Sequence, residues 1–310
     1  SLFNDIIAFF SVLFVFLVHR PHLSISFTPK VGFIVAIVSF ITSTPKRFHW
    51  FTGQVWANSK GPKRIFFSLI DKLISFLCHN IIVDGISQRQ FLIKEKIISK
   101  EKSMVLHKGS VGGVDIKRFK FNFKKRAKLR RKLLISKNSF VFLYLGRINK
   151  DKGVIDLVNA FKKIQNNKNL LLIFVGSIED KNLKHKINNN KNILHYNYSD
   201  KPEDWFLLSD ILCLPSYREG FGTVIIESAS CGLPSLCSKI YGLYDTIIDG
   251  KTGFFHKPGI VNSIKNKMVF IIRNKKLVKR CGKLARKRIA KDFDQKIVTS
   301  ELKKLIKSNI

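Results

Sequence analysis

The sequence is short of acidic residues. Its 310 residues include 21 Asp and Glu against 56 Lys and Arg, which gives a formal net charge of +35. Such a balance favours anionic partners: nucleic acid, phosphorylated small molecules or an acidic membrane surface. A general bias of the proteome towards lysine is the alternative explanation. The 45% hydrophobic content excludes a disordered chain and indicates a globular protein with room for two domains.

Cysteine is scarce, and no two cysteines have C-x-x-C spacing. There are five, at Cys78, Cys213, Cys231, Cys237 and Cys281. An odd number without paired spacing argues against a disulfide framework and against a metal site. We therefore expect buried free thiols in a reducing compartment.

Long apolar runs are also absent. The most apolar stretches, Ile6–Val18 and Val31–Ile41, fall short of the roughly 18–20 residues that span a bilayer. Neither is followed by the small-residue cleavage site of a signal peptide. We predict buried helices here, with contact at a membrane interface as the alternative. The chain starts at Ser1 rather than Met, so we expect its natural N terminus to lie upstream.

Strands and helices alternate regularly from Phe140 onward. A helix with apolar residues at helical spacing begins near Val154. Strands are predicted at Phe140–Leu145, Leu170–Val175, Ile193–Tyr198, Ile211–Leu214 and Ser235–Cys237. This order predicts a parallel, doubly wound sheet of the nucleotide-binding type, covered by helices on both faces.

The first third is less regular, with apolar segments that suggest helices interleaved with strands. The glycine-rich stretch Gly109–Phe119 precedes the regular half, so we place a domain junction and a cleft there. The predicted division is 1–120, 121–290 and 291–310, the last being a C-terminal helix that can pack back on the first domain. The very basic segment Lys124–Leu133 is predicted to be a solvated surface helix, with membrane-surface contact as the alternative.

Two loops follow strands of the regular half, at the edge where ligands bind in open α/β sheets. The first, GRINKDKG, carries Arg147 and Lys152 ahead of a helix whose free N–H groups suit an anion. A forked guanidinium and a mobile ammonium together suit a diphosphate. In so basic a chain, a cation near any loop is also expected by chance.

The second loop, PSYREGFGTVIIE, contains two glycines within an anion-binding type of turn. Gly220 and Gly222 relax the backbone so that the amides of Phe221, Gly222 and Thr223 can face a ligand. Thr223 then opens a helix, whose N terminus again suits an anion.

The same loop carries two carboxylates, Glu219 and Glu227. A pair acting together in glycoside hydrolysis needs roughly 5–9.5 Å between carboxyl groups. Eight residues at helical rise separate the backbone positions by about 12 Å. This favours contacts with two parts of one elongated ligand, such as the sugar and the ribose of a nucleotide sugar. A surface loop with a salt-bridged acid is the alternative.

These loops, with the junction GVDIKRF, resemble the retaining glycosyltransferases of family 4, which have the GT-B fold. Their Glu-x7-Glu element matches Glu219 and Glu227, and their Gly-Arg and Lys-Gly elements match Arg147 and Lys152. The stretches SDILCLPS, CGLPSLCS and DGKTGFF are similar to that family too. The resemblance implies an α/β fold of two Rossmann-like domains whose parallel sheets face across a cleft. The family's opening strand and glycine-rich loop have no counterpart before Ser1, so the first domain is expected to be incomplete.

The resemblance also implies roles. Arg147 and Lys152 would hold the donor diphosphate and balance charge on the leaving group, Glu219 would bond the transferred sugar, and Glu227 would bind the ribose. Glu219, Arg147 and Lys152 form the implied catalytic set. Members retain anomeric configuration by front-side attack assisted by the leaving phosphate. No metal and no cofactor are expected, because the cations stabilise the departing diphosphate.

The TPK and FTGQ segments look like acceptor-domain segments of members that build capsule, O-antigen or other surface glycans. The acceptor-side candidates are Lys30, His49, Thr52 and Gly53. The chain departs from many relatives where Phe27 and Thr52 replace histidines. His49 is close but offset, and a satisfied core histidine is its alternative reading.

The predicted function is thus a retaining, metal-independent hexosyltransferase. It would move a sugar from a nucleotide sugar, of the UDP type, to a lipid-linked acceptor in cell-surface polysaccharide synthesis. The expected location is cytoplasmic, peripheral on the anionic inner face of the plasma membrane, with no nucleic acid partner. A basic nucleic-acid-binding protein is one alternative, although it requires a reader motif or aromatics clustered on a basic face. A sugar phosphorylase-like enzyme of the same fold is the other, although no cofactor-lysine signature is visible.

Overall fold

The computed structural model of the chain describes residues 2–165, 169–188 and 190–310. Contacts divide the chain into two units. Unit 1 comprises Ser1–Gly112 with Lys296–Ile310, and unit 2 comprises Gly113–Gln295.

Unit 1 is built on a four-stranded parallel sheet in the order β1-β2-β3-β4. Before the chain enters unit 2, the elements of unit 1 are α1 (Leu2–His19), β1 (Leu23–Phe27), α2 (Pro29–Ile41), β2 (Lys46–Phe51), α3 (Gly61–Leu77), β3 (Asn80–Val83), α4 (Ile86–Lys94) and β4 (Ser103–Met104). Prolines stand in the first turns of α2 and α3, where a missing N–H costs nothing. The predicted interleaving of helices and strands is confirmed for this unit.

The apolar helices of unit 1 are more exposed than predicted. Along α1, the exposed fractions of Phe10 and Phe14 are 61% and 68%. On α2, Phe40 and Ile41 are also more than half exposed. An apolar composition around the whole helix normally indicates burial, yet α1 packs on α2 and leaves its other sides open. The prediction of buried helices is therefore wrong for α1 and for the end of α2.

Unit 2 has a six-stranded parallel sheet in the order β10-β9-β8-β5-β6-β7. Its elements are α5 (Phe123–Lys132), β5 (Phe140–Leu145), α6 (Val154–Lys162), β6 (Leu170–Val175), α7 (Lys181–Asn188), β7 (Ile193–Tyr196), α8 (Pro202–Leu208), β8 (Ile211–Leu214), α9 (Thr223–Ser230), β9 (Ser235–Ser238), β10 (Gly253–His256), α10 (Val261–Arg273) and α11 (Lys275–Asp292). All five predicted strands are confirmed, three of them to the residue. The predicted doubly wound parallel sheet is present.

The chain passes from unit 1 to unit 2 at Gly112–Gly113 and returns to unit 1 at Gln295–Lys296. The first boundary therefore lies eight residues before the predicted boundary at residue 120. The reason is pairing within unit 2. The Val114 N–H donates to the carbonyl of Phe293 at 2.8 Å, and the Gln295 N–H donates to the carbonyl of Val114 at 3.0 Å. Phe293 itself is fully buried in the core of unit 2, so residues 291–295 stay with this unit.

The last helix, α12 (Gln295–Lys307), lies almost wholly in unit 1. Its residues Leu302 and Leu305 pack against the core that Phe48 and Trp50 form in the sheet. The C-terminal segment therefore contributes apolar surface to the first unit.

The basic helix α5 lies on the surface, as the sequence predicted, with Lys124, Lys128 and Arg131 exposed, but its inner side is bound within unit 2. Arg130 is 8% exposed, and its guanidinium reaches Asp210, which also binds Arg126 at 2.7 Å. Lys125 pairs with Asp204 on α8. Half-buried ion pairs of this kind fix the helix to unit 2, because separating them would leave a charge without a partner. Three of its cations thus serve packing within the unit.

All five cysteines are buried free thiols, as predicted. Burial raises the pKa of the Cys78 and Cys231 thiols to about 12, so neither is a reactive thiolate. Among the described residues, no helix combines the length and the apolarity required to cross a bilayer.

Candidate active site

The order of strands in unit 2 reverses between β5 and β8, which are neighbours in the sheet but far apart in the chain. Ligands of open α/β sheets bind beyond the carboxyl ends of the strands at such a reversal. The loops that follow these two strands are residues 146–153 and 215–222, the two loops selected from the sequence. The topology therefore places both loops at the expected ligand site.

Lys152 and Glu219 are in direct contact at this edge. The Lys152 Nζ lies 2.7 Å from the Glu219 Oε1, and the two side chains are 20% and 14% exposed. The Ser216 hydroxyl donates to the same carboxylate oxygen at 2.7 Å. The site thus holds a cation and an acid side by side, largely shielded from solvent, where charges act more strongly than in water.

Glycine allows the two loops to approach this closely. Gly153 has φ +65°, and a Cβ at this position would lie 2.1 Å from the carbonyl oxygen of Pro215. The Tyr217 N–H donates to the Asp151 carbonyl at 2.9 Å, which joins the loops backbone to backbone. The Tyr217 hydroxyl also donates to Asp156 on α6 at 2.6 Å. The position of Lys152 beside Glu219 is therefore fixed by the backbone.

Arg147 lies in the same loop as Lys152 but has a different partner. Its Nη1 is 3.3 Å from the Oε1 of Glu179, a residue of the loop after β6, and its side chain is 67% exposed. The Tyr144 hydroxyl donates to the Arg147 carbonyl at 2.6 Å, which fixes the backbone while the guanidinium reaches solvent. Arg147 is thus placed at the edge of the sheet with its charge accessible.

The turn before α9 has the conformation expected of an anion-binding loop. Gly222 lies in the left-handed region at φ +67° and caps the helix without a side-chain hydrogen bond. Thr223 is the exposed first residue of the helix, so the first amides of α9 lack a side-chain acceptor. Phe221 is buried against Phe293, and Gly220 does not adopt a positive φ. The special backbone conformation predicted for both glycines is therefore confirmed for Gly222 alone.

Glu227 occupies a separate environment further along α9. Burial raises its pKa to about 7, the nearby Arg118 opposes that rise, and Glu203 adds to it. Arg118 is held by Glu203 at 3.0 Å and by the Asp200 carbonyl at 2.7 Å. The structure thus brings Lys152 and Glu219 together and gives Glu227 its own set of charged neighbours, while the proposed contact of both acids with one elongated ligand stays a prediction.

The acceptor-side candidates lie in unit 1, on or shortly after the neighbouring parallel strands β1 and β2. Lys30 pairs with Asp5 on α1, while Thr52 and Gly53 follow the end of β2 and are half-buried. His49 is fully buried inside the sheet, where its Nδ1 meets the Ser26 hydroxyl at 2.8 Å. Burial lowers the His49 pKa to about 4, so the ring is neutral at physiological pH. Burial therefore favours a core histidine, but not a fully satisfied one, because the buried Nε2 of His49 has no hydrogen-bond partner among the described residues.

Two features at the carboxyl edge of the sheet in unit 1 were not predicted from the sequence. Thr28, just after β1, has φ 66° and ψ 149°, a region that residues other than glycine rarely occupy. Asp84, just after β3, accepts a hydrogen bond from the indole of Trp50 at 2.8 Å, and burial raises its pKa to about 7. A strained residue and a perturbed carboxyl at the carboxyl ends of parallel strands mark this edge as a candidate ligand site. A carboxylate directly after the short apolar run Ile81–Val83 was the available signal.

The described part of the chain contains no group of three or more His, Cys, Asp or Glu side chains arranged to hold a metal ion. The expectation of a metal-independent reaction stays a prediction.

Comparison with known proteins identifies the family. The model of the family described as "Glycosyl transferases group 1" matches residues 125–288, more than half of the chain. The capsular polysaccharide biosynthesis glycosyltransferase CapM of Staphylococcus aureus is 30% identical over 98% of this chain and 81% of its own length. The chain belongs to the group 1 glycosyl transferases.

Solved structures agree on the fold of this glycosyltransferase. Anabaena Alr3699/HepE, crystallised in complex with UDP, has a TM-score of 0.83 at 21% identity and covers 97% of this chain and 82% of its own. Sucrose-phosphate synthase from Thermosynechococcus elongatus has a TM-score of 0.81 at 20% identity, over 92% of this chain and 73% of its own. These similarities and the two parallel sheets confirm the predicted GT-B fold.

Family membership also decides between the functions that the sequence left open. A glycosyltransferase is an enzyme that transfers sugar, so neither the nucleic-acid-binding protein nor the phosphorylase-like enzyme is needed to explain the chain. The resemblance noted in the spaced motifs is confirmed, and the 125–288 match contains all the donor-side candidates.

Proposed function

We propose that this glycosyltransferase transfers a sugar from a UDP-sugar to a lipid-linked acceptor, with retention of configuration and without a metal ion. The contact between Lys152 and Glu219 carries the proposal, because it joins a cation and an acid from two loops at the topological switch point. The similar HepE was crystallised with UDP and with UDP-glucose, which supports a uridine donor. CapM, a glycosyltransferase named for capsular polysaccharide biosynthesis, supports an acceptor used in surface glycan synthesis.

In this proposal the diphosphate binds at Arg147 and Lys152, near the uncapped start of α9. The acceptor hydroxyl oxygen attacks the anomeric carbon on the face from which the diphosphate departs. The bond between the sugar and the diphosphate breaks, and the hydroxyl proton passes to the departing phosphate oxygen. Lys152 and Arg147 stabilise the charge on the leaving group, and Glu219 orients the sugar through its hydroxyls. Glu227 accepts hydrogen bonds from the ribose.

UDP binding tests the donor site. UDP should raise the melting temperature of the wild type, and Lys152→Ala should abolish most of the shift because the phosphates lose a shielded cation. Glu219→Gln should retain UDP binding but lose at least 100-fold in transfer, the usual effect of one preorganised polar group. Lys128→Ala, on the exposed side of α5, is the matched control. Full activity of both site variants would refute the assignment.

The proposed location is the cytoplasmic face of the plasma membrane, reached through unit 1. α3 exposes apolar side chains on one stripe, with exposed fractions from 41% to 72%: Ile65, Phe66, Leu69, Leu73 and Phe76. Lys63 and Lys72 are exposed on the same helix. An apolar stripe flanked by lysines fits the interface of an anionic bilayer.

Cations gather at the C-terminal end of this stripe. The pKa of His79 is lowered first by burial and then by the charges of Arg47, Lys102 and Lys46. The Arg47 guanidinium also lies 5.5 Å from the ring of Phe40, which is half exposed. Phosphate headgroups would neutralise these charges while the aromatic rings enter the interface.

Flotation with vesicles tests this partner. The wild type should bind vesicles containing phosphatidylglycerol and not vesicles of phosphatidylcholine alone, and 0.5 M salt should weaken the binding. Phe66→Ser with Phe76→Ser should reduce binding at least fivefold, whereas Phe270→Ser, at an exposed position of unit 2, should not. Equal binding by all variants would exclude α3 as the contact.

A further inference from the structure

Glu179 is an acid placed against the cations of the candidate donor site. It follows β6, and its backbone N–H donates to the carbonyl of Ile148 at 3.0 Å. The Ile148 N–H in turn donates to the Ser177 carbonyl at 2.9 Å. A Cβ on Gly176 would lie 2.0 Å from the Gly146 carbonyl oxygen, so the loops after β5 and β6 run in backbone contact. Glu179 is therefore fixed beside the loop that carries Arg147 and Lys152.

Asn149 connects these groups. Its side-chain carbonyl accepts a hydrogen bond from the Lys152 N–H at 3.2 Å, and its amide donates to the Glu179 Oε2 at 2.7 Å. The other oxygen of Glu179 lies 3.3 Å from the Arg147 guanidinium. The Asn149 hydrogen bond is the largest cause that holds the pKa of Glu179 below its usual value, followed among the favourable causes by the charge of Arg147. One oxygen is thus tethered by an amide and the other pairs with a mobile cation.

We propose that Glu179 is an exchangeable counter-ion of Arg147. Arg147 leaves Glu179 when it binds the diphosphate of the donor, and it pairs with Glu179 again when the nucleoside diphosphate product leaves. The inference rests on the proposed donor site. Exposed ion pairs of this type contribute little to stability, whereas a diphosphate offers Arg147 several charged oxygens at once.

The hydrogen bond from Asn149 to Glu179 explains how the exchange would favour product release. Because Asn149 keeps Glu179 near the site after Arg147 has moved, its negative charge opposes the bound phosphates and offers Arg147 an alternative partner. Glu179 therefore lowers the affinity for the nucleoside diphosphate product and favours its release. Lys152 keeps its own contact with Glu219, although its charge also acts on Glu179.

The affinity for UDP, measured by calorimetry, tests the proposal. Glu179→Gln should tighten UDP binding about tenfold, because Gln keeps the oxygen that accepts from Asn149 but loses the charge. Asp180→Asn is the matched control, since it removes one charge from the adjacent residue, which pairs with Lys150 at 3.6 Å. It should change the affinity less than twofold. Equal tightening by both variants, or weakening by Glu179→Gln, would overturn the proposal.

A double-mutant cycle shows whether Glu179 acts through Arg147. Arg147→Gln alone should weaken UDP binding at least fivefold, and adding Glu179→Gln to it should then change the affinity less than threefold. An undiminished effect in that background would overturn the exchange. Melting temperatures verify that each variant is folded, and Glu179→Ala replaces Glu179→Gln if that variant is not. If the wild type does not bind UDP, the donor site itself fails. If it binds UDP and only the Glu179 effect is absent, this inference alone fails.

Discussion

Burial raises the pKa of several carboxyls in this glycosyltransferase, and for two of them, Glu227 and Asp84, the consequences differ. Glu227 stands in unit 2 beside charged neighbours, and Asp84 stands in unit 1 beside an indole. The first is the proposed ribose contact, so under that proposal its ionisation should control binding. The second is held by Trp50 and Gln88 inside the sheet edge, so its ionisation controls stability.

Donor binding should depend on pH through Glu227. The ribose hydroxyls need an ionised acceptor, and only the ionised fraction is competent to bind. With a pKa of about 7, UDP binding should tighten about tenfold from pH 6 to pH 8. The phosphate of UDP also titrates in this range, so Glu227→Gln supplies the reference for calorimetry. An identical pH profile in the variant and the wild type would rule out Glu227 as the titrating group.

The free energy of unfolding should depend on pH through Asp84. Since its pKa is raised on folding from 3.8 to about 7, the folded chain binds more protons, and the stabilisation is complete below pH 4 and lost as pH rises through 7. A shift of this size corresponds to about 4 kcal/mol. Asp84→Asn keeps an oxygen for Trp50 and should flatten the decline between pH 5 and 8 in denaturant unfolding. Asp115→Asn, at an exposed position, should leave the slope unchanged.

At the level of elements, the sequence predicted best where one signal dominates. The strands β5, β6 and β8 are uninterrupted apolar runs that end at a glycine or at Pro-Ser, so buried parallel strands were the simplest interpretation. The ion pairs on the inner side of helix α5 were not predicted because its acidic partners, Asp204 and Asp210, lie about 80 residues away in the chain. Helix α1 was misjudged because composition does not say which sides of a helix find a partner.

The candidate site was predictable to a similar extent. Arg147, Lys152 and Glu219 lie in loops that directly follow predicted strands, so their side of the sheet followed from topology. Glu179 and Asn149 were missed because their hydrogen bond spans 30 residues and depends on side-chain geometry. The role of His49 could not be determined from the sequence, because the sequence pattern of a histidine in a strand is the same whether its side chain faces a ligand or the core.

The contact between the loops after β5 and β8 should depend on a single glycine. Gly153→Ala places a Cβ against the Pro215 carbonyl and forces a strained backbone, so the loops must separate and UDP binding should weaken at least tenfold. Gly250→Ala is the matched control, since φ is +69° there and a Cβ would meet nothing within 4 Å. It should lower stability by about 1–2 kcal/mol and leave UDP binding intact. Similar UDP affinities in both variants would contradict the role of Gly153.

For the molecule as a whole, the charge of +35 is the dominant property. It predicts that the protein binds any polyanion at low ionic strength through release of counterions. Duplex DNA should therefore bind at 50 mM salt with a steep salt dependence and dissociate by about 300 mM salt. UDP binding, measured in the same titration series, should be unaffected by DNA. If DNA persists at 500 mM salt and displaces UDP, a specific nucleic acid site must be considered.

The connection between the units has a consequence for evolution. Unit 2 is one uninterrupted stretch whose two ends lie side by side, since Val114 is paired with both Phe293 and Gln295. Such a segment can be exchanged as a cassette without disturbing the order of the strands around it. Under the proposed division of roles, grafting the corresponding segment of a related transferase into this host would change the activated sugar and keep the recipient molecule. Gene recombination at these two points would then give a transferase with a new donor without remaking a whole enzyme.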